Sequence, residues 1–216
     1  GVSMGRARAG RAAAGATGTK AATASANADV GNAHILALRP SAQLISIARP
    51  GAAVQNDLMI AAIGFAPDTA VITPPADWTL VRRIDNPGGV SNSLAVYRKV
   101  HAASEPASYA WAFSTNVTAV GGIQAFAGVD TTNPIDVENG QPTPSSLTHT
   151  APSITTTITN AMLVGHYTYS SSRPWTPVNP PGPPAAMTEW FDVRNPSAAG
   201  AIGQSLEGTR IVQAAT

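Results

Sequence analysis

Two distant stretches of the chain carry one pattern: "QNDLMIAAIGF" (55–65) and "TNAMLVGHYTY" (159–169), each with Asn ahead of an apolar run. The match continues downstream. "ITPPADWT" leads into a strand-like run and Asn86-Pro87, and "WTPVNPPGPPAAMT" leads into "EWFDV" and Asn195-Pro196. "SLAVYRKV" (93–100) then stands opposite "SLEGTRIV" (205–212), matching Ser93 with Ser205, Leu94 with Leu206, Arg98 with Arg210 and Val100 with Val212. Four segments aligned in one order define an internal repeat, which limits the fold more than any single motif does.

The repeated runs read as strands. Strand signals also cover "WTLVRRIDN" (78–86), "ASYAWAFST" (107–115) and "GGIQAFAGV" (121–129), separated by Gly, Pro, Asn and Asp, the pattern of a sandwich or barrel. In "ASYAWAFST", Tyr109, Trp111 and Phe113 alternate with small residues, so one face of that strand is core. The prolines of "ITPPADW" (72–78) and "RPWTPVNPPGPP" (173–184) belong in loops. Only "GRARAGRAAAGATG" resists, its Ala and Arg interrupted by glycines; it reads as loop or short helix. The expected fold is an all-β, antiparallel, jelly-roll-like sandwich of two pseudo-repeated halves.

In the first half, "YAWAFSTN" (109–116) and "GGIQAFAGV" follow the repeated segments, whereas the second half ends at Thr216 inside a β-branched run. Counterparts of the missing pair lie near the other terminus. "KAATASAN" (20–27) aligns with 109–116, and "HILAL" (34–38) with 122–126. The expected organisation is therefore a connector over 1–16, a strand pair within 17–40 that completes a sandwich, and a body over 41–216. Lys20, Ala22, Ala24, Ile35, Leu36, Leu38, Ile211 and Val212 are the expected assembly residues. The strand pair can close its own domain, as in a permutant, or pair with a neighbouring copy; a window cut out of phase from tandem copies is the third arrangement. The glycine-containing connector favours pairing between copies, whereas residues 20–27 and 34–38 bonded to strands of their own chain, beside 91–100 or 205–213, would mark a self-closed permutant.

Read in the order 41–216 then 18–40, the chain resembles an Ala/Thr-rich β-sandwich module of phage tail or fibre proteins and large repetitive bacterial surface proteins. "NDLMIAAIGF", "ITPPADWTLVRRIDN", "SLAVYRKV", "ASEPASYAWAF", "GGIQAFAGVDTTNPIDV", "TPSSLTHTAPSITTT", "NAMLVGHYTY" and "GTKAATASANADVGNAHILALRP" carry the resemblance. It implies a structural building block in a virion or at the cell surface, partnered by copies of itself or by related virion or filament proteins, with no cofactor. The permuted order and the longer "VNPPGPP" loop depart from the family.

Composition narrows the alternatives. Charged residues make up 12% of the 216 residues and the net charge is +1, so the surface is polar but uncharged, and no basic stripe suits nucleic acid. No cysteine is present, which removes disulfides and thiolate metal sites. No apolar run reaches the length of a membrane helix, and the N-terminus has no apolar signal-peptide region.

The chemical motifs are weak. "GVSMG" (1–5) matches the nucleophile-elbow pattern at Ser3, but no strand precedes it. His34, His101, His149 and His166 are far apart, with no metal-ligand spacing. "GVDTTNPIDVENG" (128–140) offers Asp130, Asp136 and Glu138 as calcium candidates, against a competing reading in which Asp130 forms an Asx turn. "NVT" (116–118) is a glycosylation sequon by pattern. Trp175, Tyr167 and Tyr169 could stack on a sugar, which makes a host-surface glycan the alternative partner and an adhesin the alternative role. No paired acid and base residues point to an enzyme.

Overall fold

Leu58–Ala66 is buried at every position. In a two-layer sandwich such a strand would have one face in solvent, so burial of both faces calls for a sheet on each side. The computed structural model supplies both sheets. It describes Ala21, His34, Ile35, residues 43–171, 173–176 and 187–195, and the backbone of 204–212. The chain divides into units of residues 1–40 and 41–216, and the strands lie in the second.

Ten strands follow in order: β1 (Gln43–Ala48), β2 (Leu58–Ala66), β3 (Ile72–Thr73), β4 (Thr79–Asn86), β5 (Asn92–Val100), β6 (Ser108–Phe113), β7 (Thr118–Phe126), β8 (Met162–Ser170), β9 (Thr188–Arg194) and β10 (Gln204–Val212). They form three sheets, ordered β1-β6-β3, β4-β5-β2-β7 and β8-β10-β9, and all strand pairs are antiparallel. The fold is an all-β sandwich with no helix among the described residues.

The four-stranded sheet is the middle layer. Its odd-numbered β2 residues, Met59, Ala61, Ile63 and Phe65, join Tyr97 of β5 and pack against Ile47, Ile72, Tyr109, Trp111 and Phe113 of the first sheet. The alternation expected over 107–115 holds, with Tyr109, Trp111 and Phe113 buried. Leu58, Ile60 and Ala62 point the other way. Leu58 and Ile60 pack with Met162 and Val164 of β8, and Ala62 packs with Phe191 and Val193 of β9.

The repeat is kept at the level of backbone register. β2 pairs β5 from Leu58–Val100 through Phe65–Ser93, and β8 pairs β10 from Met162–Val212 through Tyr169–Ser205. The third strand of each unit repeats even its irregularity: β4 skips Val81 against β5, and β9 skips Trp190 against β10. The Asn that opens each unit has a structural reason, because Asn56 and Asn160 take left-handed φ values of 72° and 58°, which Asn tolerates better than most residues. Strand order agrees too, with β9-β10-β8 reproducing β4-β5-β2.

The two units meet through equivalent faces. Thr168 packs directly against Gly64, its own counterpart in the repeat, so a pseudo-twofold axis passes between them. Close approach depends on glycine here: a Cβ on Gly64 would collide with Thr168, and one on Gly122 would lie 2.5–2.8 Å from the Phe191 ring.

β5 lies between β4 and β2, and β10 between β8 and β9, so both sides of 93–98 and of 205–210 are bonded within this chain. Of the expected strand pair, only Ala21, His34 and Ile35 are among the described residues.

Candidate functional site

The aromatic residues singled out in the sequence do come together. Tyr167 and Tyr169 project from β8 on the face away from the middle sheet, by alternation with Val164, His166 and Thr168. Trp175, on the connection after β8, meets Tyr169 edge-on at 4.5 Å and 79° and lies 6.0 Å from Tyr167. His149 completes the group. It stacks on Tyr169 at 5.9 Å and 25° and meets Trp175 at 5.6 Å and 77°. Polar contacts fix the rings: Asp192 accepts the Trp175 amide at 3.1 Å, His149 Nδ1 lies 2.6 Å from the Thr143 hydroxyl, and the Tyr169 hydroxyl donates to the carbonyls of Arg173 and Pro174. The cluster is half-buried, and its rings meet one another in the geometries that favour aromatic packing.

The calcium candidates are not brought together. Asp130 accepts the Thr132 amide at 2.8 Å, which is the Asx turn. Asp136 accepts the amide and hydroxyl of Thr157, and these bonds hold its carboxyl below the usual range. Glu138 forms a two-point pair with Arg82 at 2.5 and 2.9 Å. Each carboxylate thus pins part of the long connection after β7, and no group of three His, Asp or Glu side chains suited to a metal exists among the described residues.

A charged site missed in the sequence lies beside Tyr109 of the first core. Lys99, near the end of β5, is only 9% exposed and contacts Glu105 at 2.9 Å, whose side chain is 2% exposed. Asp77 lies 3.6 Å from the same ammonium, its side chain 80% exposed and its φ at 67°. The Tyr109 hydroxyl donates to Glu105 at 2.7 Å, the Ala102 amide donates to its other oxygen at 2.9 Å, and Lys99 sits 5.4 Å from the Tyr109 ring centre. Burial and the adjacent Glu105 carboxylate push the Tyr109 hydroxyl well up. Burial is the largest single influence on Glu105 and opposes ionisation, yet the Ala102 amide, Lys99 and Tyr109 together hold its carboxyl below the usual range. An open cleft of about 330 Å³ lies over the group, walled by Pro75, Ala76 and Pro106. Beside it, Arg49 donates to His101 Nε2 at 3.1 Å, leaving His101 Nδ1 to donate to the Ala102 carbonyl at 2.6 Å.

A second polar pair sits between the layers. His166 Nε2 lies 3.1 Å from Oε1 of the fully buried Gln124, and burial pushes the imidazole down to about 4.

Of the expected assembly residues, Ile211 and Val212 pair with Leu163 and Met162 of β8. Ile35 is 63% exposed and lies outside any strand. Lys20, Ala22, Ala24, Leu36 and Leu38 fall outside the described residues, as do Ser3 and the connector. No protein-family model, curated protein or solved structure matches the chain.

Proposed function

We propose that this chain is a non-enzymatic structural module of a phage virion appendage or an extracellular bacterial filament, and that its copies join by β-strand pairing. The duplicated register is the observation that supports this reading. In the first unit β7 lies beside β2; the corresponding place in the second unit is beside β8, and residues 34–38 are the segment whose sequence matches β7. Exposure of Ile35 outside any strand of this chain favours donation to a neighbouring copy. Strand pairing also supplies many backbone hydrogen bonds where charged residues are scarce.

The register gives a test. Ala61 pairs with Ile123 in the first unit, and the corresponding residues are Gly165 and Ile35. Mixing Ile35→Cys with Gly165→Cys chains, each otherwise cysteine-free, should give a disulfide-linked dimer under mild oxidation. Absence of that dimer, or a disulfide confined to single chains of the double variant, rules out donation between copies.

A second reading, glycan binding, is favoured by the grouping of His149, Tyr167, Tyr169 and Trp175. It expects saturable binding of an oligosaccharide that Trp175→Ala abolishes while the folded state persists. Binding unchanged in that variant would eliminate it.

A further inference from the structure

We infer that the long connection between β7 and β8 is a latch: residues 135–143 occupy the place over β4 that a donated strand must take, so residues 34–38 of a neighbouring copy seat only when this segment lifts. The inference rests on the strand-donation reading above and adds its control. In the first unit β7 lies beside β2 and also reaches across to the second unit, where it touches β9 and β10. Its Gly122 comes up against the Phe191 ring. The pseudo-twofold axis exchanges β9 with β4 and β10 with β5, so a strand added beside β8 would cover β4 and β5 in the same way. The paired registers make Arg82 and Ile84 the counterparts of Phe191 and Val193, which fixes where that strand would come down.

That place is already taken. A Cβ on Gly140 would collide with the Ile84 side chain and lie 2.9 Å from that of Arg82, so Gly140 stands to Arg82 as Gly122 stands to Phe191. Side chains hold the segment down. Glu138 makes its two-point pair with the same Arg82, the Asn86 side-chain amide donates to the Thr143 carbonyl at 2.7 Å, and Ile135 packs on the buried group of Leu58, Ile60 and Phe126. In the sequence alignment of 34–38 with 122–126, His34 takes the position of Gly122, and its ring needs the space that Gly140 and the Glu138–Arg82 pair now fill. Two backbones cannot occupy one packed layer. Residues 127–161 contain no strand or helix, and a connection this long within a compact domain commonly has a role of its own. The Glu138–Arg82 pair is partly exposed and therefore weak, so the latch can open without unfolding the cores beneath it.

The test is the rate at which full-length Ile35→Cys donor chains and Gly165→Cys acceptor chains form the disulfide-linked dimer, with the latch altered in one partner at a time. Glu138→Lys sets two cations against each other. Carried by the acceptor, it should speed dimer formation by about 5-fold, the effect of losing a surface ion pair and gaining a like-charge contact; carried by the donor, it should leave the rate unchanged. Adding Arg82→Glu to that acceptor rebuilds the pair with its charges exchanged and should restore the parental rate, and high salt should erase the acceleration. Equal rates whichever chain carries Glu138→Lys, or an acceleration that the charge exchange leaves in place, overturn the latch while strand donation stands. A failure of every pairing to give the dimer overturns both. Circular dichroism of each variant separates an opened latch from a lost fold.

Discussion

Phe65 and Tyr169 occupy equivalent places in the two repeat units, and their surroundings differ sharply. Phe65 is fully buried, with the Phe113 ring 5.3 Å away and the Arg83 guanidinium over its face at 5.1 Å. Tyr169 is half-exposed and packs on His149 and Trp175. The contrast extends to the residues that brace them. Arg83 donates to the carbonyls of Ala70 and Asp68 on the connection after β2; its counterpart Asp192 accepts the amide of Trp175 on the connection after β8. The same strut is built once with a cation and once with an anion. Register, bulge and strand order are properties of backbone hydrogen bonding and survive this exchange, whereas the cover over each sheet is a property of side chains and does not.

Truncation should expose that difference most strongly. Trp111→Ala removes a fully buried ring from the first core and is expected to cost about 3–5 kcal/mol. Trp175→Ala removes a half-buried ring from the second unit and should cost about 1 kcal/mol, the value of its aromatic contacts. Urea titration of both variants measures the contrast, and equal losses would show that the second unit's cluster is a core like the first.

Acid should part the layers at a single residue. The folded protein keeps His166 neutral down to about 4, while the unfolded chain protonates it near its ordinary value of about 6.5. The unfolded state therefore binds more protons between these values, and stability falls as pH is lowered through that window, by on the order of 3 kcal/mol when complete. His166→Gln should flatten the decline between pH 6.5 and 4. Any loss that continues below about pH 4 in that variant belongs to carboxylates held ionised by their partners, Glu105 and Asp136.

The fit between the units can be tested more gently. Gly122→Ala sets a methyl against the Phe191 ring and should cost about 1–3 kcal/mol, the range for overpacking, with Phe191→Leu in the same chain recovering part of it. Additive losses in the double variant would place the strain elsewhere. Glu138→Gln should have the smallest effect. Its partner Arg82 is solvent-exposed and salt screens such pairs, so the thermal midpoints of variant and parent should converge as ionic strength rises.

Much of this comparison was legible in the residues. The paired Asn residues, the matched Ser-Leu and Arg positions, and the alternating aromatics of 109–113 all report on local backbone or on one strand's faces. Three features were not. "LMIAAIGFA" lacks alternation, which is the signature of burial on both faces, yet in an alanine-rich chain it reads as an ordinary apolar strand. β1 does alternate, with Ile45 and Ile47 inward, but it is short and flanked by no repeat partner. The group of Lys99, Glu105, Tyr109 and Asp77 has no fixed spacing. A turn and a loop bring its members together, so the contact exists only after the β4–β5 pair and the loop into β6 have formed.

The pseudo-twofold contact between the units has a consequence for growth. When two equivalent faces meet, each consumes the other, and a contact of that symmetry terminates after one event. The inner faces of this body are spent within a single chain. Any polymer built from it must propagate along some other direction, through strand edges or outward faces, so that the folded body is a link whose valency is set by what the internal pairing leaves over.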